Sequence, residues 1–387
     1  MSTQTKLLSI LVQTGFHGGR NIPVMLEGEP GIAKTQVIFA LGDSIAKVID
    51  KPFPVEVFVA PQRLPEDVGG LPVPDLENNQ VRQLPLSTGK KLMSAGRGIF
   101  FVDEYSSANQ AMGGACMTMI QDHRLGDNVL PQAVAMVAAM NPADCAANGR
   151  DLTPPESNRF CFIRWKLTFD DWADYMQGGE GATRDTVILP PNWEKDNGVK
   201  ARSLIVSFLK RNSSLFDIKQ TMPKSFDASK PWASPRSWEN ASRVIAACLA
   251  TGHSTLSDVT HEGVRGCVGD GAANQFVTWV RKMDLPDPEE VLKNADKFKF
   301  GKMRSDKVQA ILEGVATVAQ QDRKDRKDRW EQAWKLVGPQ LKEKMDVAMG
   351  AAHILGKNIP KGGKFPEEAL LIAEVRRKAG VKGKNAK

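Results

Sequence analysis

Gly28-Glu29-Pro30-Gly31-Ile32-Ala33-Lys34-Thr35 decides the reading of this 387-residue chain. It follows the apolar run Ile22-Pro-Val-Met-Leu26 and precedes a helical pattern from Gln36 to Ile49. A strand, a glycine-bearing turn and a helix opening on Lys-Thr form the context of a phosphate-binding loop. Small residues let backbone N–H groups turn inward on phosphate oxygens, and the helix N-terminus adds its positive end. All eight residues are therefore candidate nucleotide contacts. Lys34 would reach the β- and γ-phosphates, and Thr35 would place its hydroxyl on Mg²⁺. The pattern departs from the usual one at Ala33, where glycine is common; a methyl group fits there if the backbone keeps negative φ.

Working outward, Val55-Glu-Val-Phe-Val-Ala60 has the composition of a second strand. Pro61 to Leu86 is rich in Pro, Gly, Asp and Glu, and reads either as a surface loop or as a projecting hairpin or pore-lining loop. A short helix, about Ser87 to Ala95, leads into Gly98-Ile-Phe-Phe-Val-Asp103-Glu104. An apolar run ending in Asp-Glu buries its strand in a parallel sheet and delivers two carboxylates at the C-terminal edge, where such sheets bind ligands. Asp103 can hold the Mg²⁺ shell, and Glu104 can polarise a water for attack on the γ-phosphate. Their position about 70 residues after the phosphate loop turns a common pattern into a joint signal.

Asn109 to His123 is helical, with a methionine-rich face of core type. Ala133-Val-Ala-Met-Val-Ala-Ala-Met140 is another buried strand, and Asn141 stands at its tip beside Pro142, either to orient the attacking water or to end the strand in a turn. Asn158-Arg159-Phe160 leads into a fifth strand, Cys161 to Thr168. Arg159 either pairs on the surface or reaches a neighbouring subunit's nucleotide as an arginine finger. Ser234-Pro235-Arg236 opens an amphipathic helix with proline one step inside its start. Arg236 there opposes the helix dipole, a placement that suggests a ligand. Beyond residue 260 the pattern is mostly helical, with an alternating-charge stretch at Asp322 to Leu336 and a short helix at Pro366 to Lys378.

Hydrophobic content of 41% and charged content of 25% are ordinary for a globular chain with a sizeable core. Five cysteines form no CxxC pair and the five histidines give no metal-ligand spacing, which reads as buried free thiols in a reducing, cytoplasmic compartment. No apolar run is long enough to span a membrane. The net charge of +7 is concentrated in residues 357–387, where nine Lys/Arg face three Glu. That tail reads as a solvated terminus, with contact to nucleic acid or an acidic partner as the other option.

Taken in order, these pieces resemble the MoxR-type branch of the AAA+ ATPases. Gly28 to Thr35 looks like the family's phosphate loop, which often carries Ala before the Lys. Leu64-Pro-Glu-Asp-Val-Gly-Gly70 is similar to its Pro-x-Asp-hydrophobic-x-Gly stretch, and Asp103-Glu104 to its Mg²⁺-binding and base-bearing strand end. Ala138-Ala-Met-Asn-Pro142 resembles the first sensor, which gives Asn141 that role. Asn158-Arg159-Phe160 is similar to the family's Asp-Arg-Phe and makes Arg159 the finger, while Ser234-Pro-Arg236 resembles the second sensor, with Arg236 reaching the phosphates from the lid. Three departures stand out. Asn158 replaces Asp; Tyr105-Ser-Ser-Ala108 replaces a hydrophobic-Asn-Arg stretch; and a polar insert, Asp144 to Asp151, leaves Arg150 as a rival finger.

The resemblance, which covers roughly residues 5–260, implies an α/β fold: an AAA+ P-loop core with a five-stranded parallel sheet at 1–170 and a connector and helical lid at 171–260. The helical pattern and the charge then mark a helical extension at 261–356 and the basic tail at 357–387. The resemblance implies ATP and Mg²⁺ as cofactors, and a ring, commonly hexameric, with nucleotide between subunits. It further implies a chaperone-like action on a protein partner, often one bearing a von Willebrand factor A domain. Two other readings fit the residues: a nucleic-acid-associated ATPase of a mobile element, suggested by the basic tail, and an ATP-gated scaffold with little turnover, suggested by Ala33 and the residues after Glu104.

Overall fold

The computed structural model describes all residues except 1, 17–18, 85–86, 143–144, 146–148, 180, 182–185, 225–228, 322 and 370–387. The basic tail beyond residue 369, and with it most of the helix expected at 366–378, lies outside the described residues.

The chain divides into two compact units: residues 1–198 with 212–277, and residues 199–211 with 278–387. In the first unit, α1 (Thr3–Leu11) leads to β1 (Val24–Glu27), α2 (Lys34–Ile49) and β2 (Val55–Val59). A one-turn helix α3 (Pro65–Gly69) precedes the hairpin β3 (Leu71–Asp75) and β4 (Gln80–Leu84). Then come α4 (Ser87–Ala95), β5 (Gly98–Asp103), α5 (Gln110–Asp122) and the small ribbon β6 (Arg124–Leu125) and β7 (Asn128–Val129). The run ends with β8 (Val134–Met140), α6 (Pro154–Ser157), β9 (Cys161–Arg164) and α7 (Phe169–Met176). The helices α8 (Trp193–Leu209), α9 (Ile218–Thr221), α10 (Pro235–Ala250), α11 (Asp258–Val268) and α12 (Asp270–Met283) follow, and the unit boundary falls within α8 and α12.

The main sheet has the order β2-β5-β8-β1-β9, with every pairing parallel. Helices cover such a sheet on both faces, so its inner strands are apolar throughout rather than alternating. β8, Val-Ala-Met-Val-Ala-Ala-Met, is buried at all seven positions, and β5 at all but Asp103. The core gathers Phe58, Phe100, Phe160, Phe162 and Tyr105 against Met112, Cys116 and Met119 of α5. Each such aromatic contributes about 1.5–3 kcal/mol through burial. The methionine face of α5 is packing, as its spacing suggests.

The segment after β2 is a hairpin rather than an irregular loop, and its strands are largely exposed. Leu76 at its tip is 90% exposed. No disulfide joins cysteines among the described residues; four are buried, as expected, but Cys145 is exposed because it sits in the loop after β8. No helix among the described residues is long and apolar enough to cross a membrane.

The second unit is helical, with α13 (Pro288–Lys293), α14 (Ser305–Ala319), α15 (Arg326–Glu343) and α16 (Met345–Lys357). Its own core holds Leu312, Val315, Trp330, Trp334, Val337 and Leu355. The alternating charges at the start of α15 are not all solvated: Arg329 is buried and makes a bidentate pair with Glu289 at 2.7 and 2.8 Å.

Candidate nucleotide site

Parallel strands point their C-terminal ends to one edge, and the phosphate loop leaves β1 there. Gly28 is required by close packing: a Cβ on it would lie 2.8 Å from the Trp165 carbonyl oxygen. Trp165, just past β9, steadies the loop further, since its Nε1–H donates to the Ile32 carbonyl at 3.2 Å. Glu29, Pro30, Gly31 and Ala33 are exposed along the loop. Ala33 takes φ 60° and ψ 30°, the left-handed region, not the negative φ that its methyl group prefers. The turn needs that conformation to start α2, and alanine occupies it at a cost of about 1–2 kcal/mol. No side chain caps the α2 N-terminus. Its first N–H groups are thereby left for an anion, with the helix dipole aligned to favour one.

Lys34 is buried and donates from Nζ to the carbonyls of Gly28 at 2.7 Å and Glu29 at 2.9 Å, and to Asn141 Oδ1 at 2.8 Å. Burial lowers its pKa from the ordinary lysine value, while the charges of Asp103 and Glu104 act the other way. Thr35 Oγ1 donates to Asp103 Oδ2 at 2.7 Å. Asp103 Oδ1 accepts from the Glu104 N–H at 2.9 Å. Glu104 is exposed and takes φ 54°, again left-handed, which turns the chain sharply at the strand end. A non-glycine residue held there is strained and is typical of functional turns. The structure thus brings Lys34, Thr35, Asp103, Glu104 and Asn141 to one edge of the sheet. Thr35 and Asp103 offer adjacent oxygens fit for a hard divalent cation, and Lys34 with the uncapped helix fits a polyphosphate.

Arg159 and Arg236 lie elsewhere. Arg159 lies two residues before the start of β9, at the N-terminal edge of the sheet. Arg236 lies beside it, lining the same cleft of about 300 Å³ together with Arg20, His123 and Gln132. Four to seven strand residues separate the two edges, roughly 13–23 Å. Asn158 explains why the arginines meet: its amide donates to the Trp232 carbonyl at 3.0 Å and accepts from Ser234 Oγ at 2.7 Å. It therefore pins the start of α10 beside the end of α6. Arg159 donates to Gln121 Oε1 at 2.8 Å and to the Pro155 carbonyl at 2.5 Å. Burial and the Arg236 charge both press against its cationic form. Glu239 lines the same cleft beside the three arginines and offsets part of their charge.

Arg20 carries no motif, and Asn158 stands out in the sequence only as the residue in place of Asp before Arg159, with nothing there to show its bonds to Trp232 and Ser234. Arg20 sits between α1 and β1, and it is 4.0 Å from Glu239. Arg150, the rival finger, is spent internally: it pairs with Glu156 at 2.7 Å. The five-stranded parallel sheet, with the glycine-bearing loop after β1 and Asp-Glu at the end of β5, makes this an α/β P-loop-type core followed by a helical extension.

No protein-family model matches the chain, and no curated protein sequence matches it. Solved structures do resemble it. A candidate ATPase from Cytophaga hutchinsonii is 16% identical, with 76% of this chain and 88% of that one covered and a TM-score of 0.42. An MCM homologue from Methanopyrus kandleri is 13% identical, with 68% and 55% covered and a TM-score of 0.40. A mutant RuvB from Thermotoga maritima is 13% identical, with 86% and 89% covered and a TM-score of 0.29.

Proposed function

We propose that this chain is an Mg²⁺-dependent ATPase of MoxR type that assembles into a ring, commonly hexameric, and remodels a partner protein. The observation that carries the reading is the separation of the two site halves. Lys34, Thr35, Asp103, Glu104 and Asn141 gather at one edge of the sheet, while Arg159 and Arg236 share a cationic cleft at the other. One subunit's arginines cannot serve its own phosphate loop across that distance. Head-to-tail repetition presents the arginine cleft of one copy to the loop of the next, and such heterologous contacts close into rings.

Within the shared site, Lys34 and the uncapped start of α2 hold the β- and γ-phosphates. Thr35 and Asp103 hold Mg²⁺, which on binding neutralises phosphate charge. Glu104 accepts the proton of the attacking water, and Asn141 orients that water from the tip of β8. Arg159 and Arg236 of the neighbour stabilise charge developing on the γ-phosphoryl group. The exposed hairpin with Leu76 at its tip, and the exposed Phe169, Trp172 and Tyr175 of α7, supply apolar surface for a protein partner.

Glu104→Gln tests the chemistry. The variant binds ATP with wild-type affinity and loses turnover by about 10²–10⁴-fold. Equal turnover in variant and wild type removes Glu104 from the role of base.

A further inference from the structure

The turn that follows Glu104 and the short helix that precedes Arg159 meet at one buried ion pair. Arg150 donates to Glu156 twice, Nη1 to Oε2 at 2.9 Å and Nη2 to Oε1 at 2.7 Å. Glu156 is only 5% exposed. Its Oε2 also accepts from the Thr153 N–H at 2.7 Å and from the Thr153 hydroxyl at 2.8 Å, which closes the single turn of α6. The buried Tyr105 hydroxyl donates to Glu156 Oε1 at 3.1 Å, and the Arg150 guanidinium lies 5.7 Å from the Tyr105 ring centroid.

The pair reaches toward both halves of the site. On one side, Arg150 Nε donates to the Ala108 carbonyl at 2.9 Å, and its backbone N–H donates to the Ser106 carbonyl at 2.9 Å. These bonds clamp the turn that begins at Glu104. On the other side, the Arg159 N–H donates to the Glu156 carbonyl at 3.1 Å. The Arg159 side chain rests on the carbonyl of Pro155, which is in the same turn. α5 is shaped to admit the pair: a Cβ on Gly113 would lie 2.1 Å from Arg150 Nη2 and 2.8 Å from Glu156 Oε1.

A buried ion pair adds little net stability over an apolar pair of the same shape, but its bidentate geometry fixes orientation. We infer that Arg150 and Glu156, with Tyr105 between them, are positioning residues that set Glu104 for the subunit's own nucleotide and Arg159 for its neighbour's from one buried point. The inference rests on the shared-site reading above. Arg150, a rival for the finger in the sequence, thus acts through Arg159 and Glu104 and touches no phosphate itself.

Mixed subunits test it. Glu104→Gln and Arg159→Ala are each inactive, yet an equal mixture contains complete sites, formed by Glu104 of one subunit and Arg159 of the other. Tyr105→Phe or Arg150→Met is then added to one component at a time. In the Arg159→Ala component it acts only on the Glu104 half; in the Glu104→Gln component, only on the Arg159 half. Misplacing a reacting group by about 1 Å costs up to about 10²-fold. Arg150→Met is expected to lower the restored kcat by about that factor in both placements. Tyr105→Phe lowers it less, also in both, and KM and binding of a fluorescent ATP analogue stay unchanged. Where Arg150→Met melts early, Tyr105→Phe and Gly113→Ala decide. Loss in one placement only, in neither, or matched by an equal loss of analogue binding overturns the inference. No restored turnover in the unmodified mixture overturns the shared-site reading itself, and the inference with it.

Discussion

Lys34 Nζ donates to Asn141 Oδ1 at 2.8 Å, which ties the phosphate loop after β1 to the tip of β8 across 107 residues of chain. The same ammonium group holds two loop carbonyls, so the loop is kept closed by a buried charge. Burial disfavours that charge. Replacing Lys34 by Met removes both the bonds and the charge-burial cost, and such opposing terms nearly cancel. Lys34→Met is therefore expected to fold with a melting temperature close to wild type. It loses the shift on adding ATP, which in wild type at a hundredfold excess over Kd corresponds to about 2.7 kcal/mol. Thermal melts with and without Mg-ATP check this; an undiminished shift in the variant contradicts it.

Ala33 marks a second, independent point of strain. Its φ of 60° suits glycine, and the loop holds it there because α2 starts at that angle. Glycine removes about 1–2 kcal/mol of steric cost but returns roughly 0.4–1 kcal/mol of unfolded-state entropy. Ala33→Gly is expected to stabilise the protein by about 0.5–1 kcal/mol in urea denaturation. Destabilisation of that size would show that the methyl group makes contacts that outweigh the strain.

Much of this was legible from the residues. The phosphate loop, Asp103-Glu104 and Asn141 are contiguous motifs at strand ends, and a parallel sheet brings strand ends together whatever lies between them. The proline-first start of the helix at Ser234 was equally plain, and Ser234 caps it by accepting from the Ser237 N–H. The sequence could not show which edge Arg236 would occupy. That depends on Asn158 bonding Ser234 across 76 residues, a tertiary contact with no periodic signature. Likewise the fate of Arg150 turned on Glu156 and Gly113, which read locally as loop and helix. The conformation of Ala33 is the reverse of what its side chain prefers, because the loop imposes it.

The Arg150–Glu156 pair carries a pH signature. Burial alone would raise the Glu156 carboxyl, but the Arg150 guanidinium and the Thr153 donors outweigh it and hold the group below its ordinary 4.5. The unfolded chain therefore takes up this proton first as the solution is acidified. The stability that Glu156 contributes is complete above pH 4.5 and is lost as pH falls through the lower folded value. Glu156→Gln is expected to be less stable at neutral pH by about 1–3 kcal/mol, with a shallower decline below pH 4.5. Urea midpoints measured across that range check it. Parallel curves for the two proteins would mean that Glu156 does not titrate with folding.

The central claim is that Glu104 and Arg159 of different subunits complete one site. Steady-state ATP hydrolysis over a wide range of protein concentration, with Arg159→Ala alongside, tests it most directly. Specific activity should rise with concentration as subunits associate. Arg159→Ala should lose about 10³-fold or more in kcat while still binding ATP. Specific activity independent of concentration, together with wild-type turnover in Arg159→Ala, would contradict the shared site.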